Sequence, residues 1–250
     1  VTSSHELARE LVVAFRDSAG PGSRLAAAPA PVATSDPVVL ETHADPRSDL
    51  ATVLQRRRST RFFGPQPLPA SSVRDIARDA LAADRRETPI GNAGCPLEVY
   101  LLALRLDGLA PGAYRLDDEG RLWPLGDLGR PACDLTIQSE FADAAAIISL
   151  AGDLTAADAS SGAHGYRQLM TRAGAAAYDM WLDAVALGWA GTVFAGFIPA
   201  SVRLPLASDG TDRHQLFALA LGHPAVLPAA AESAVPTPAP GRRDPHGSDL

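Results

Sequence analysis

The chain has 250 residues and a net charge of −7, and all 22 of its basic residues are arginine. The acidic balance argues against nucleic acid as a main partner. The absence of lysine from this sequence rules out a Schiff base, a lysine general base or a phosphate-binding lysine within it. Hydrophobic residues make up 46%, enough to bury a sizeable core in one large domain or two small ones.

The two cysteines, Cys95 and Cys133, have neither metal-ligand spacing nor histidines close by, so no metal site is expected. They fit reduced thiols in a cytoplasmic protein. No apolar run reaches the roughly 18 residues of a membrane span. The N-terminus lacks a basic segment followed by an apolar one, so no signal peptide and no membrane contact are expected.

In chain order, Glu6 to Phe15 reads as an amphipathic helix, and Ser18 to Pro37 as an Ala/Pro-rich linker or loosely docked strap. A short helical pattern over Asp49 to Leu54 leads into Arg56-Arg57-Arg58-Ser59-Thr60-Arg61-Phe62-Phe63. Arginine forks with flanking hydroxyls suit a phosphate and an attached polyol, because each fork donates two parallel charge-assisted bonds. The alternative is a solvated helix end, although Phe62 and Phe63 require part of the segment to approach a core. Ser71 to Ala83 has apolar residues at Val73, Ile76, Ala77, Ala80 and Leu81, a helical stripe with Ser71 or Ser72 available as N-cap.

Leu97 to Leu104 is a strand-length apolar run. Gly112 to Asp117 and Arg121 to Trp123 read as a hairpin turning at Glu119-Gly120. Ala144 to Leu150 reads as a buried strand ended by Gly152-Asp153. Tyr166 to Leu187 is the longest helix, ended by Gly188, with an apolar stripe too wide for packing on one side only. It is either a central core helix or one that also packs across a dimer interface. Val193 to Phe197 and Leu216 to Leu221 are further strands. Helices and strands mix without strict βαβ order, which predicts an α+β fold. The expected organisation is an N-terminal helix and strap over 1–47, one domain over 48–226, and a Pro-rich tail over 227–250.

These pieces, in this order, resemble the nitroreductase-like superfamily of FMN-dependent oxidoreductases. Arg57-Arg58-Ser59-Thr60-Arg61 is similar to that family's Arg-Arg-Ser-x-Arg segment, and Tyr166 to Gly188 to its long dimer helix. Gly191 to Phe197 resembles its glycine-containing strand-turn, and Gly222-His223-Pro224 its closing Gly-x-Pro. Thr88 to Tyr100 and the hairpin Pro111-Gly112-Ala113-Tyr114-Arg115-Leu116-Asp117 look like the branch that oxidises azolines to thiazoles and oxazoles in peptide natural products.

The resemblance implies a mixed or antiparallel sheet flanked by helices, an intertwined homodimer, and FMN bound where the subunits meet. Arg57, Arg58, Ser59 and Arg61 would hold the phosphate and ribityl chain, Ala195-Gly196 would lie against the ring, and Asn92 would cover the opposite ring edge. Arg242 or Arg243 would supply a C-terminal basic group. The branch's Lys-Tyr pair falls near Ser160-Ser161, and its Glu-Ala-Gly-His-x-x-Gln-Asn helix pattern becomes Arg172 to Asp179. With no lysine, His164 and Tyr166 are the candidate catalytic residues, and Asp158 is more remote.

The expected activity is FMN-dependent dehydrogenation of a peptide or peptide-derived natural product, with a partner protein delivering the substrate. The alternatives are an NAD(P)H-dependent reductase of nitro compounds, quinones or other small electrophiles, and a non-catalytic scaffold of the same fold.

Overall fold

The computed structural model describes residues 31–42, 45–89, 94–129, 131–203, 205–208 and 213–225, together with Glu6 and Glu10. In chain order its elements are α1 (Leu50–Arg56), β1 (Leu68–Pro69), α2 (Ala70–Glu87), β2 (Glu98–Ala103), β3 (Leu106–Asp107), β4 (Gly112–Leu116), β5 (Leu122–Gly126), β6 (Ala146–Gly152), α3 (Leu154–Ser161), α4 (Gly165–Ala186), β7 (Ala190–Phe194), α5 (Pro199–Val202) and β8 (His214–Gly222). Single-turn 3-10 segments span Ala132–Asp134, Ser139–Asp143 and Gly162–His164. Glu6 and Glu10 of the predicted first helix are helical; the rest of that helix and the C-terminal tail lie outside the described residues.

Six strands form one antiparallel sheet in the order β5-β4-β2-β6-β8-β7, and β1 pairs in parallel with β3 in a two-stranded sheet. The α+β expectation holds. One face of the large sheet, with Val99, Leu101, Ile148, Leu150, Leu219 and Leu221, is covered by α2 and α4. The other face, with Tyr100, Leu102, Ile147, Ala218 and Ala220, is closed by Leu135, Phe141, Phe197, Val202 and Leu206 from loops and short helical turns. Each of these large apolar side chains contributes about 1.5–3 kcal/mol when fully buried. Every residue of β6 is buried, as its near-continuous apolar sequence requires of a central strand.

Boundaries shift where local pattern and long-range pairing compete. β6 starts at Ala146, two residues later than predicted, and runs to Gly152 because β2 pairs with it as far as Ala151 and β8 as far as Gly152. β7 starts three residues before the predicted strand and stops at Phe194, its register set by β8. The N-cap of α2 is Pro69, with no side-chain cap bond. Ser72 lies inside the helix, and its hydroxyl donates to the Asp45 carboxylate instead. Helix α3 escapes a periodicity reading because its residues, Leu-Thr-Ala-Ala-Asp-Ala-Ser-Ser, bury only Ala157. Asp153 caps it, accepting the Ala156 N–H at 2.8 Å. Gly165 then lets α4 begin against α3, since a Cβ there would stand 2.0 Å from the Ala157 carbonyl oxygen.

Residues 34–38 add to the β5 edge. The Thr34 and Val38 N–H groups donate to the Pro124 and Leu122 carbonyls, both at 2.8 Å. The hairpin turns where predicted, with Gly120 at φ +78°. Asp117 organises it: one carboxylate oxygen accepts the Glu119 and Arg121 N–H groups, and the other accepts the Arg121 guanidinium and the Trp123 indole. Burial alone would raise the Asp117 carboxyl, but the Trp123 and Arg121 donors outweigh it and hold it below the ordinary range. This depressed group stabilises the fold above its unfolded pKa near 3.9 and loses that contribution as pH falls through its lower folded value. Asp117→Asn is expected to cost about 2 kcal/mol at neutral pH and to flatten the acid limb of stability below about pH 4. Urea denaturation across pH 2–7 (roughly, spanning both pKa values) checks both effects.

Candidate functional site

Helix α1 positions the arginine segment. Asp49 caps its start, accepting from the Thr52 N–H and hydroxyl, and the Arg57 N–H closes its end on the Val53 carbonyl. The chain then extends beside β7 like a short parallel strand. Ser59 bridges Gly191, the Thr60 N–H donates to the Gly191 carbonyl at 3.2 Å, and the Thr192 hydroxyl donates back to the Thr60 carbonyl. Gly191 lets β7 pack closely under α4, since a Cβ there would stand 3.0 Å from Leu221, 3.1 Å from Trp181 and 3.2 Å from the Ala220 carbonyl. Phe63 is buried against Gly222 and bridges Pro224, whereas Phe62 is 46% exposed. Only one of the two phenylalanines therefore enters the core.

The four predicted phosphate-site residues do not behave alike. The Arg57 guanidinium lies 4.7 Å from the Trp181 ring centre and 5.7 Å from that of Tyr178, fastening α1 to α4 by cation–π contact. Arg58 and Ser59 are exposed. Arg61 is exposed and stands 3.7 Å from the Glu140 carboxylate. An oxyanion would find Arg58, Ser59 and Arg61 on one short extended segment.

Ala195-Gly196 follows β7 directly. From Gly191 to Gly196 the strand direction covers about 16 Å. The arginine segment and the predicted ring-contacting backbone thus lie at the two ends of one sheet edge. The Gly196 carbonyl accepts the Ile137 N–H at 2.8 Å, and Thr136 bridges Phe197. A Cβ at Gly196 would come within 3.1 Å of Gln138 Oε1, an oxygen buried without a donor. The segment Thr136–Asp143 therefore borders Gly196 and, through Glu140, Arg61. Sequence reading assigned it no role. Its signal is weak: Ile137 and one aromatic, Phe141, amid polar and small residues, with Phe141 packing at 4.4 Å between ring centres on Phe194.

His164 and Tyr166 stand at the start of α4. Leu169 packs on Gly152 there, so they share the sheet end of Ala195-Gly196 with β8 between. Tyr166 lies about 18 Å along the helix from Tyr178, hence far from Arg57. It is 49% exposed and does not anchor α4 in the core. His164 Nδ1 is 2.5 Å from Arg167 Nη2. A guanidinium only donates, so Nδ1 is the acceptor in this contact. Asn92, Arg242 and Arg243 lie outside the described residues.

Beneath α4, Arg172 forms a fork-to-fork pair with Asp84 at 2.9 and 2.8 Å and donates to the Cys95 carbonyl at 2.8 Å. Cys95 is buried, and burial pushes its thiol up, which suits an inert core residue rather than a nucleophile. Ser160 and Ser161, where the resemblance would place Lys-Tyr, line a small concavity with Cys95, Gln168 and Arg172. On the opposite sheet face, Tyr100 donates to Glu98, which also accepts from Arg213 at 2.8 Å. Burial, reinforced by the Glu98 charge, raises the Tyr100 phenol and keeps it neutral. Among the described residues no group of histidines, cysteines and carboxylates could hold a metal ion, and no helix is long and apolar enough to cross a membrane.

The sequence model of the Nitroreductase family matches residues 54–223. No curated protein matches the chain. Among solved structures, the chain is similar to a protein from Anabaena variabilis assigned as a nitroreductase, at 24% identity over 71% of this chain, with a TM-score of 0.60. It spans 38% of that protein's length. It is similar also to a chain of the E. coli microcin synthetase McbBCD complex with truncated pro-MccB17 bound, at 17% identity over 76% of this chain and 78% of that one, with a TM-score of 0.54. A third is a protein from Exiguobacterium sibiricum, assigned as a nitroreductase and solved in complex with FMN, at 12% identity over 74% of this chain and 91% of that one, with a TM-score of 0.50. At these identities the likeness shows the fold.

Proposed function

Because this chain belongs to the Nitroreductase family, we propose that it is an FMN-dependent oxidoreductase, a dehydrogenase acting on a peptide or peptide-derived natural product. The observation that carries the cofactor assignment is the arginine segment seated on β7, with Gly196 at the strand's other end. Exposed Arg58 and Ser59 fit a phosphate. The close-packed backbone at Gly196, beside the orphaned Gln138 oxygen, fits a planar polar ring. Arg58, Ser59 and Arg61 hold the phosphate and ribityl end, and Arg57 braces the end of α1 that leads into them. Asn92 and Arg243 complete the site, and the chain works as a cytoplasmic homodimer, with a partner protein presenting the substrate.

When bound, FMN supplies hydride transfer. The residues of this chain orient the substrate and handle the proton. The azoline-type substrate is supported by the hairpin Pro111 to Asp117 and by the fold shared with the pro-MccB17-binding microcin synthetase.

One observation favours a second reading, an NAD(P)H-dependent reductase of small electrophiles. With its Nδ1 lone pair occupied by Arg167, His164 is poorly placed to abstract a substrate proton, whereas reduction by a reduced flavin needs no such base because solvent supplies the proton. Anaerobic mixing of the FMN-loaded protein with NADPH separates the two. The dehydrogenase reading expects the flavin to stay oxidised over minutes; complete bleaching within seconds would replace it with the reductase.

A further inference from the structure

We propose that Glu140 is the resident counter-ion of Arg61, which a flavin phosphate must displace, so that this carboxylate sets how tightly the chain holds a phosphorylated flavin. The inference rests on the FMN reading above and adds a residue that the arginine motif does not contain.

Glu140 is held at Arg61 by structure on both sides. Its neighbour Phe141 is 1% exposed and packs on Phe194, the last residue of β7. Phe194 in turn packs on Phe197 at 5.6 Å between ring centres. On the arginine side, Arg105 Nη2 donates to the Gly64 and Asp143 carbonyls, each at 2.8 Å. That guanidinium braces the segment carrying Arg61 against the 3-10 turn carrying Glu140. The Gly64 N–H also donates to the His223 carbonyl at 2.8 Å. The backbones of both residues are thus fixed, and only their side chains need move.

The contact itself is loose. At 3.7 Å, with the Arg61 side chain 56% exposed and that of Glu140 30% exposed, it is an ion pair weakened by water. Such pairs are worth about 0.2–1 kcal/mol. A phosphate, carrying more charge and more acceptors, outcompetes the carboxylate yet must still displace it.

The test measures FMN and riboflavin dissociation constants at low salt, by quenching of flavin fluorescence. The proteins are the full chain, Glu140→Gln, Arg61→Ala and the double variant. Glu140→Gln is expected to bind FMN about 2–5-fold more tightly, the fold-change matching such a pair. Riboflavin, lacking the phosphate, should be unaffected. The gain should vanish in the Arg61→Ala background and shrink with added salt. An unchanged FMN affinity overturns the inference, as does an equal gain for riboflavin or a gain that survives Arg61→Ala. A wild-type chain that binds neither flavin overturns the FMN reading itself, whereas one that binds FMN without responding to Glu140→Gln overturns only the role of Glu140.

Discussion

Asp84→Ala is expected to destabilise the fold by about 3–5 kcal/mol, the cost of leaving a buried charge without its partner. Arg172 and Asp84 have side chains only 7% and 5% exposed. Removing the carboxylate leaves the guanidinium with the Cys95 carbonyl alone among the acceptors described here. The loss spreads beyond the pair. Asp84 lies in the last turn of α2 and accepts the Thr88 hydroxyl as well as Arg172 of α4, so it joins two helices and the approach to β2. Urea denaturation followed by tryptophan fluorescence measures the change, and thermal unfolding should show a fall in melting temperature of roughly 10 °C. The double variant Asp84→Leu, Arg172→Met should recover most of the loss, because an apolar pair of similar volume avoids the desolvation cost of both ions. A single variant that melts within a degree or so of wild type (about 0.3 kcal/mol at this size) would show that the pair is not buried.

The second large effect concerns the cofactor. In Arg58→Ala, Arg61→Ala, affinity for FMN should fall about 100-fold, the combined loss of two charge-assisted contacts at the lower end of their range because both side chains are exposed. Affinity for riboflavin should stay within a few-fold of wild type (roughly 1 kcal/mol). Arg57→Ala should behave differently. That guanidinium packs on Trp181 and Tyr178, so its loss should lower stability as well as binding. A selective fall for FMN in the double variant, and a mixed effect for Arg57→Ala, would separate ligand contacts from bracing within one run of like residues.

That separation marks the limit of what the sequence discloses. The stripe Val73, Ile76, Ala77, Ala80, Leu81 and the apolar width of α4 are local patterns, and both became helices packed on one sheet face. The hairpin was legible because Asp117, Gly120 and Trp123 carry turn chemistry within a few residues. The run Arg57 to Arg61 suggested an anion-binding segment, but the different surroundings of its arginines did not show. Which arginine packs on an aromatic ring depends on Trp181, more than a hundred residues away in sequence. Thr60 against Gly191 is a contact of the same kind, and Ile137 against Gly196 likewise joins residues remote in sequence. Helix α3 was missed because it buries almost nothing apolar, and β7 was displaced because its pairing with β8 runs from Ala190 to Phe194, leaving Ala195-Gly196-Phe197 beyond it. Glu140 carried no signal at all; its meaning comes only from standing 3.7 Å from Arg61.

Binding of FMN through the arginine segment is the claim on which the rest depends. The most direct test is the visible absorption spectrum of the full chain, incubated with FMN and freed of excess by gel filtration, beside Arg58→Ala, Arg61→Ala treated identically. The account predicts oxidised-flavin bands that co-elute with the wild-type protein and are absent from the variant. A colourless wild-type protein, or a variant that retains as much flavin as wild type, would contradict it.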